Sequence, residues 1–230
     1  GCGFFIHHDY PDFGNEVNQR YTVFMRDIIL ASGSPRRRDL LSKMGLSFKT
    51  IPSDFEEYLD NSRPVEEIAK ELALGKARAV AAQHPDALVI GSDTIVSLNG
   101  QQLGKPADEA EARKLLREHD GQTVTVTTSI VLVCQADELE QAEVSNSRVV
   151  FKPYDKAANE TYLATGDWHD KAGAWGIQSG AAPLIDHIEG DYDAIVGLPT
   201  KLLAQMLADL GIEANPVELD PPVPRHTSLL

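Results

Sequence analysis

The chain has 230 residues, and its 21 Lys and Arg against 35 Asp and Glu give a formal net charge of -14 at pH 7. That length is enough for one domain, or a domain with a subdomain, around a full hydrophobic core. The acidic balance argues against nucleic acid and anionic membranes as partners, because both reward broad cationic surfaces. No apolar stretch approaches the roughly 18 residues that a membrane-spanning helix needs. A local group of basic residues in this chain therefore points to a small anion.

The two ends of the chain differ from its middle. Residues 1–24 lack the basic start and continuous apolar core of a signal peptide, so we expect Met25 to be the natural start and residues 1–24 to be a non-native or disordered extension. A single domain is predicted over residues 25–213, followed by a proline-rich, disordered tail over residues 214–230. Cys2 and Cys134 occur in unrelated contexts, so neither a disulfide nor a cysteine metal site is expected.

A strand, a turn of small residues and a basic helix start follow one another over residues 27–41. The apolar run over residues 28–31 predicts a buried strand, which Ser32-Gly33-Ser34-Pro35 ends. Ser34 is expected to cap the next helix, with Pro35 at its first position. The free N–H groups of such a helix start, together with the arginines at positions 36–38, would bind an anion. On local spacing alone, an ordinary solvated helix start explains the pattern equally well.

The later elements alternate irregularly between strand and helix. Asn99-Gly100 is a strong hairpin signal, and Asp108 with Glu111 has the spacing of a capping box. Because hairpins interrupt the alternation, we expect an α/β fold with a mixed, partly antiparallel, twisted sheet flanked by helices. Strands are predicted over residues 48–51, 88–90, 95–98, 123–133, 143–151, 183–188 and 194–196, and helices over residues 64–83, 108–118, 155–165 and 200–210.

Several charged residues are candidates for chemistry. Asp93 follows a predicted strand, where a carboxylate can project into a cleft, and Glu56 and Glu57 on an acidic loop could join it in holding Mg²⁺. Lys76 shares a helix face with apolar residues and should point partly inward, while Lys105 lies on a glycine-flexed turn suited to phosphate. Each has an ordinary alternative: an Asp that caps a turn, solvated glutamates, or a lysine that extends along its stem to water. Together they supply the parts of metal-assisted phosphoryl chemistry.

Over residues 25–210 the chain resembles the Maf nucleoside triphosphate pyrophosphatases, with several separate motifs in that family's order. The resemblance implies an inosine triphosphate pyrophosphatase-like fold with a cleft between two lobes. It also implies a cytoplasmic homodimer that hydrolyses a nucleoside triphosphate between the α and β phosphates, using Mg²⁺ or Mn²⁺, as a house-cleaning activity. The motifs are Leu30-Ala31-Ser32-Gly33-Ser34-Pro35-Arg36-Arg37, Glu56-Glu57, Lys76-Ala77, Ile90-Gly91-Ser92-Asp93-Thr94, Leu103-Gly104-Lys105-Pro106, Asp170-Lys171-Ala172-Gly173, Gly176-Ile177-Gln178, Ile188-Glu189-Gly190-Asp191-Tyr192 and Val196-Gly197-Leu198-Pro199.

The resemblance also implies roles for single residues. By position, Asp93 matches the proton acceptor that activates water, and it shares the metal with Glu56. Residues linked to substrate choice are matched by Arg36, Thr94 and Gln178. Phosphate contacts are expected from Ser32, Ser34, Arg36, Lys76 and Lys105, with Arg36 facing the substrate while Arg37 and Arg38 are partly structural.

The specificity implied by the resemblance leaves alternatives. Ser-Pro-Arg-Arg together with Gly-Ile-Gln resembles the subfamily that acts on dTTP and UTP rather than the sister group that acts on 7-methyl-GTP. Trp175 replaces a common Tyr and Ser179 a common Gly, and both flank Gln178, so base preference is the property they affect. A non-catalytic, nucleotide-binding regulator of cell division or septum formation is the alternative from another class, and a pyrophosphatase for another nucleotide is the alternative within the same chemistry.

Overall fold

The computed structural model describes residues 26–56 and 63–226, so the predictions for residues 1–24 and for Glu57 lie outside the described residues. Its strands are β1 (Ile28–Leu30), β2 (Lys49–Thr50), β3 (Leu88–Leu98), β4 (Gln101–Leu103), β5 (Thr123–Cys134), β6 (Leu139–Phe151), β7 (Ile185–Glu189) and β8 (Arg225–His226). Its helices are α1 (Pro35–Lys43), α2 (Val65–Ala81), α3 (Glu109–Glu118), α4 (Lys156–Leu163), α5 (Tyr192–Val196) and α6 (Thr200–Asp209). None of the helices in these ranges is both long and apolar enough to cross a membrane.

The strands form one mixed sheet in the order β2-β1-β3-β5-β6-β7-β8, with β4 paired to β3. β1 is parallel to both β2 and β3, the run from β3 through β5 and β6 to β7 is antiparallel, and β8 is parallel to β7. The β3–β4 hairpin turns at Asn99 and Gly100, whose φ angles of 51° and 79° are those that a tight two-residue turn requires. The predicted mixed α/β fold is confirmed.

Strand β3 is continuous over Leu88–Leu98, where the sequence predicts two separate strands. The interruption predicted over residues 91–94 is wrong, because Gly91 and Asp93 serve packing and pairing instead. A Cβ on Gly91 would stand 2.6 Å from the carbonyl oxygen of Ala73, so the missing side chain lets α2 cross β3 closely. Asp93 tolerates its place inside a buried strand because Lys76 of α2 neutralises it across 2.6 Å.

The core has one hydrophobic layer on each face of the sheet. α2 presents alanines to one face, and the fully buried Ala73 and Ala77 pack there against Val89 and Val131. The other face is covered by α1, α5 and α6, where Leu41 and Leu203 are buried. Small residues therefore lie between α2 and the sheet, and larger ones lie on the opposite face.

The apolar segment over residues 194–196 forms part of helix α5 rather than the predicted strand. Asp191 caps this helix by accepting a hydrogen bond from the Asp193 N–H at 2.9 Å, and Gly197 ends it with a φ of 125°. A short apolar run does not distinguish a buried strand from a buried helix, and the Asp cap and Gly stop decide this case.

The tail is packed against the domain as far as His226, in contrast to the disorder predicted for it. Val217 and Val223 are buried against the core, and the Pro224 carbonyl accepts a hydrogen bond from the Ile188 N–H at 2.9 Å. β8 then pairs with β7. These apolar contacts and backbone hydrogen bonds come from distant residues, so the composition of the tail alone does not reveal them.

A Thr200→Val variant is expected to lose about 2 kcal/mol of the free energy of unfolding, because valine leaves buried hydrogen-bonding groups without a partner. The Thr200 hydroxyl is fully buried, lies 2.7 Å from Asp193 Oδ2 and accepts from the Val217 N–H at 3.0 Å. Urea denaturation measures the loss, and the Val217 amide should exchange its hydrogen faster.

The control for this variant is Lys201→Ala on the same helix. Lys201 pairs with Glu218 of the tail at 3.1 Å, but both side chains are more than half exposed. Exposed pairs contribute little, so this variant should stay within about 0.5 kcal/mol of the parent. Equal stability of Thr200→Val and the parent would contradict the proposed role of the hydroxyl.

Candidate active site

Residues 91–95 of β3 have a strand on only one side within the described part of the chain. β5 pairs along the length of β3, whereas on the other side β1 reaches only residues 88–90 and β4 only residues 96–98. We call the space beside residues 91–95 the β3 gap. A gap in a ladder leaves backbone N–H and C=O groups at the centre of the sheet without a strand partner, and a ligand can satisfy such groups.

The start of helix α1 lies at the β1 side of this gap. Ala31 donates to the Ile90 carbonyl at 2.8 Å, after which the chain turns. Ser34 caps α1 by accepting from the Arg37 N–H at 3.4 Å, and the Ser32 hydroxyl accepts from the Ser34 N–H at 3.2 Å. The predicted Ser cap and the Pro at the first helical position are both confirmed. The positive end of the α1 dipole is therefore at the gap.

Arg37, rather than Arg36, extends from α1 across the gap. Its Nε donates to the Gly197 carbonyl at 2.8 Å and its Nη2 donates to the Thr94 hydroxyl at 3.1 Å. The Arg37 Nη1 also lies 3.5 Å from the Ser32 hydroxyl. Arg36 is 43% exposed and lies 3.9 Å from Asp170. The sequence reasoning missed the contacts that Arg37 makes with two predicted site residues, because these contacts depend on how distant segments fold together.

Hydroxyl groups fasten α5 to the same face of the sheet. Thr94 and Thr128 lie 3.1 Å apart through their hydroxyls, and Thr128 donates to the Ala194 carbonyl at 2.8 Å. Ser92 donates to the Gly197 carbonyl at 3.1 Å, so that carbonyl accepts from both Ser92 and Arg37. These bonds explain the Val-Gly-Leu-Pro motif structurally: the Gly197 backbone joins α5 to the β3 gap.

Asp93 and Lys76 meet on the opposite face of β3, beneath α2. Their ion pair joins Lys76 Nζ to Asp93 Oδ1 at 2.6 Å, with side-chain exposures of 15% and 10%. The inward direction predicted for Lys76 is confirmed. Because successive strand residues point to opposite faces, Asp93 and Thr94 flank the gap from its two sides. A ligand in the gap can therefore contact both faces of β3.

The segment over residues 170–180 contacts α1 and α5, the two helices next to the β3 gap. Lys171 is the main cause that lowers the pKa of the Asp170 carboxyl, and Arg36 lowers it further. Burial raises the pKa of the Tyr192 hydroxyl at the start of α5, and a hydrogen bond with the exposed Gln178 lowers it in part. The segment thus has contacts with both helices that border the gap, through Asp170 to α1 and through Gln178 to α5.

The exposed Lys105 lies on the turn beside this segment. The Gly104 carbonyl accepts from the Gly173 N–H at 2.9 Å. No residue that the structure describes makes a contact that fixes the Lys105 ammonium, so its predicted phosphate contact stays a prediction. Behind Gly173, His119 and Tyr162 support the segment from two helices, and the sequence reasoning identified neither residue.

The acidic loop packs against α2 one residue before Lys76. The Phe55 ring occupies the space where a Cβ of Gly75 would stand, and the neighbouring Glu56 is exposed. Carboxylate oxygens suit Mg²⁺, which takes one or two carboxylates together with substrate phosphates. Both predicted metal ligands, Glu56 and Asp93, are carboxylates, and no group of three or more His, Cys, Asp or Glu with metal-binding geometry exists among the described residues. Their role as metal ligands stays a prediction.

Comparison with known proteins places these features in one family. A family model described as Maf-like protein matches residues 27–210, which include all the elements around the β3 gap. A dTTP/UTP pyrophosphatase of Deinococcus radiodurans is 44% identical over 187 residues, covering 81% of this chain and 94% of the relative. Proteins of the same name from Pyrococcus furiosus and Bacillus cereus are 40% and 39% identical, covering 80% and 83% of this chain and 95% and 99% of the relatives. The chain belongs to the family of Maf-like proteins.

Proposed function

We propose that the protein is a nucleoside triphosphate pyrophosphatase that hydrolyses dTTP and UTP to the monophosphate and pyrophosphate. The observation that carries the proposal is the β3 gap, which has a positive helix start on one side and a buried carboxylate–ammonium pair on the other. The relatives named dTTP/UTP pyrophosphatase support the same reaction, because this chain matches them over nearly their whole length. The proposal includes Mg²⁺ or Mn²⁺ as cofactor and a cytoplasmic homodimer without a nucleic-acid partner.

The start of α1 would bind the triphosphate. Ser32 and Ser34 supply hydroxyl and backbone groups at the positive end of the helix dipole, and Arg36 and Arg37 supply planar guanidinium groups that fit phosphate oxygens. Arg37 is already oriented by the Gly197 carbonyl, so little side-chain freedom is lost when a phosphate binds. Arg36 and Lys105 are exposed and can move onto the phosphates when substrate arrives.

Asp93 would accept the proton of the attacking water. The Lys76 ammonium of α2 holds the Asp93 carboxylate at 2.6 Å, which would keep it in one position for a water that attacks the bond between the α and β phosphates. A divalent cation held by Glu56 and Asp93 would supply positive charge at the phosphate oxygens. Lys76 and Lys105 would neutralise the charge that develops on the departing pyrophosphate.

The base would be selected at the α5 side of the gap. The Gln178 amide offers both a donor and an acceptor to a pyrimidine edge. Thr94 and Arg36 would act with Gln178 in this selection, and the Trp175 and Ser179 substitutions flank Gln178 in sequence. A site that hydrogen-bonds one base disfavours another base that leaves its polar groups unpaired, which gives selectivity.

A nucleotide panel tests the proposal. With Mg²⁺ present, kcat/KM measured by pyrophosphate release should be highest for dTTP and UTP, and at least about tenfold lower for CTP, ITP and 7-methyl-GTP, a difference of about 1.4 kcal/mol. Identification of the products as a monophosphate and pyrophosphate checks the bond that is broken. Nucleotide binding without release would favour the non-catalytic regulator, and the highest kcat/KM for 7-methyl-GTP would favour the sister specificity.

A further inference from the structure

His119, which follows α3 directly, contacts the segment that carries Gln178. Its side chain is only 1% exposed, and its Nε2 lies 2.8 Å from the Gly173 carbonyl oxygen. A carbonyl only accepts, so Nε2 carries the hydrogen and donates it. Nδ1 has no protein partner within the described residues, so Nε2 alone ties the ring to the backbone.

The Gly173 peptide is held from both sides. Its carbonyl accepts from His119, while its N–H donates to the Gly104 carbonyl at 2.9 Å on the turn that carries Lys105. Gly173 therefore connects the turn that carries Lys105, a predicted phosphate contact, to the segment that carries Gln178, a predicted base contact. Movement of Gly173 would change both contacts together.

The backbone at this point needs outside support. Gly173 and Ala174 have φ angles of 72° and 64°, and Ala174 is fully buried. Left-handed backbone is strained for alanine, and it persists where surrounding contacts hold it. The His119 hydrogen bond is one of these contacts. A second comes from Tyr162 of α4, whose hydroxyl accepts from the Gly176 N–H at 3.1 Å.

Aromatic packing fixes the direction of the His119 ring. The ring lies against Phe151 with centroids 4.7 Å apart, and Phe151 meets Trp175 edge-on at 5.5 Å. Trp175 lies three residues before Gln178. Residues 173–178 therefore rest on His119, Phe151 and Tyr162, and Trp175 of the segment itself packs edge-on against Phe151.

We propose that His119 is a positioning residue for base selectivity: through its hydrogen bond to Gly173 it holds residues 173–178 and the Lys105 turn in the arrangement that places Gln178 against the base. The inference rests on the proposed function. His119 itself touches no substrate and acts through the Gly173 peptide.

The test compares His119→Leu with His119→Gln. Leucine fills much of the volume but donates no hydrogen bond, whereas glutamine extends an N–H group to a position close to that of Nε2. We expect His119→Leu to raise KM for dTTP and UTP about tenfold, the effect of one lost hydrogen bond. Its preference for dTTP over CTP should fall, while kcat stays within about threefold. His119→Gln should restore most of both properties.

A second variant and a measurement that needs no turnover give independent checks of the proposal. Tyr162→Phe removes the other hydrogen bond to the segment and should shift KM in the same direction. Hydrogen exchange of residues 173–178 in the nucleotide-free protein should be faster in His119→Leu than in the parent, and close to the parent in His119→Gln. This readout holds even if the parent hydrolyses no nucleotide, which would contradict the proposed function alone.

Three results would overturn the inference. One is parental KM values and parental exchange in His119→Leu. Another is equal loss in His119→Leu and His119→Gln, which would assign the effect to ring packing rather than to the hydrogen bond. The third is a fall in kcat for every nucleotide with unchanged KM and selectivity.

Discussion

An Asp93→Asn enzyme is expected to fold and to lose about 10³-fold in kcat for dTTP, because an amide cannot accept the proton of the attacking water. KM should change much less, since the phosphate contacts assigned to α1 remain. Pyrophosphate release over a long incubation measures the residual rate, and circular dichroism with thermal unfolding confirms the fold. Turnover within about tenfold of the parent would remove Asp93 from the mechanism.

The matched control for Asp93→Asn is Glu140→Gln. Glu140 lies on β6 and pairs with Arg78 of α2, the helix that also carries Lys76, at 2.6 Å, but both side chains are substantially exposed. The control also replaces a carboxylate by an amide opposite an α2 cation. Parental kcat is expected, so a large loss in Asp93→Asn alone would come from the chemistry of Asp93 and not from the removal of an α2 ion pair.

Gly91→Ala is expected to lower the free energy of unfolding by about 3 kcal/mol, at the upper end of the usual range for overpacking. The new Cβ would stand 2.6 Å from the Ala73 carbonyl oxygen and 2.9 Å from the Ala77 Cβ, so α2 must move away from β3. Because the Lys76–Asp93 pair depends on that approach, kcat should fall as well. Urea denaturation and pyrophosphate release measure the two effects.

Gly104→Ala is the control for the stability effect. A Cβ at Gly104 would meet nothing within 4 Å, so this variant should unfold close to the parent. If Gly91→Ala also unfolded close to the parent, the close α2–β3 contact would not be a requirement of the fold.

Local signals in the sequence were sufficient where a segment determines its own conformation. Ser34 caps α1, and the Glu111 N–H donates to the predicted cap Asp108 at 2.8 Å. The interruption predicted in β3 failed because the partner that decides it, Lys76, lies on another element. The prediction of a disordered tail failed for the same reason, since Val217 and Val223 contact their apolar partners only in the folded chain.

The candidate site divides in the same way. Residue types and motif order identified Asp93, Lys76 and Thr94 as site residues, and the structure places all three at the β3 gap. The sequence could not show that Arg37 rather than Arg36 reaches Thr94, because that depends on where α5 presents the Gly197 carbonyl. His119 was missed because a single histidine after a helix resembles any other core residue until its neighbour across the fold is known.

The two ends of the sheet carry a consequence for association between copies of the chain. As far as the structure describes them, the outermost strands β2 and β8 have two residues each, and an exposed Lys49 of β2 pairs with Asp27 at 2.5 Å. Short, charged outer strands provide a poor template for another strand, which protects a protein from edge-to-edge aggregation. A second copy would gain little by extending this sheet, so a homodimer would need helix or loop surfaces instead.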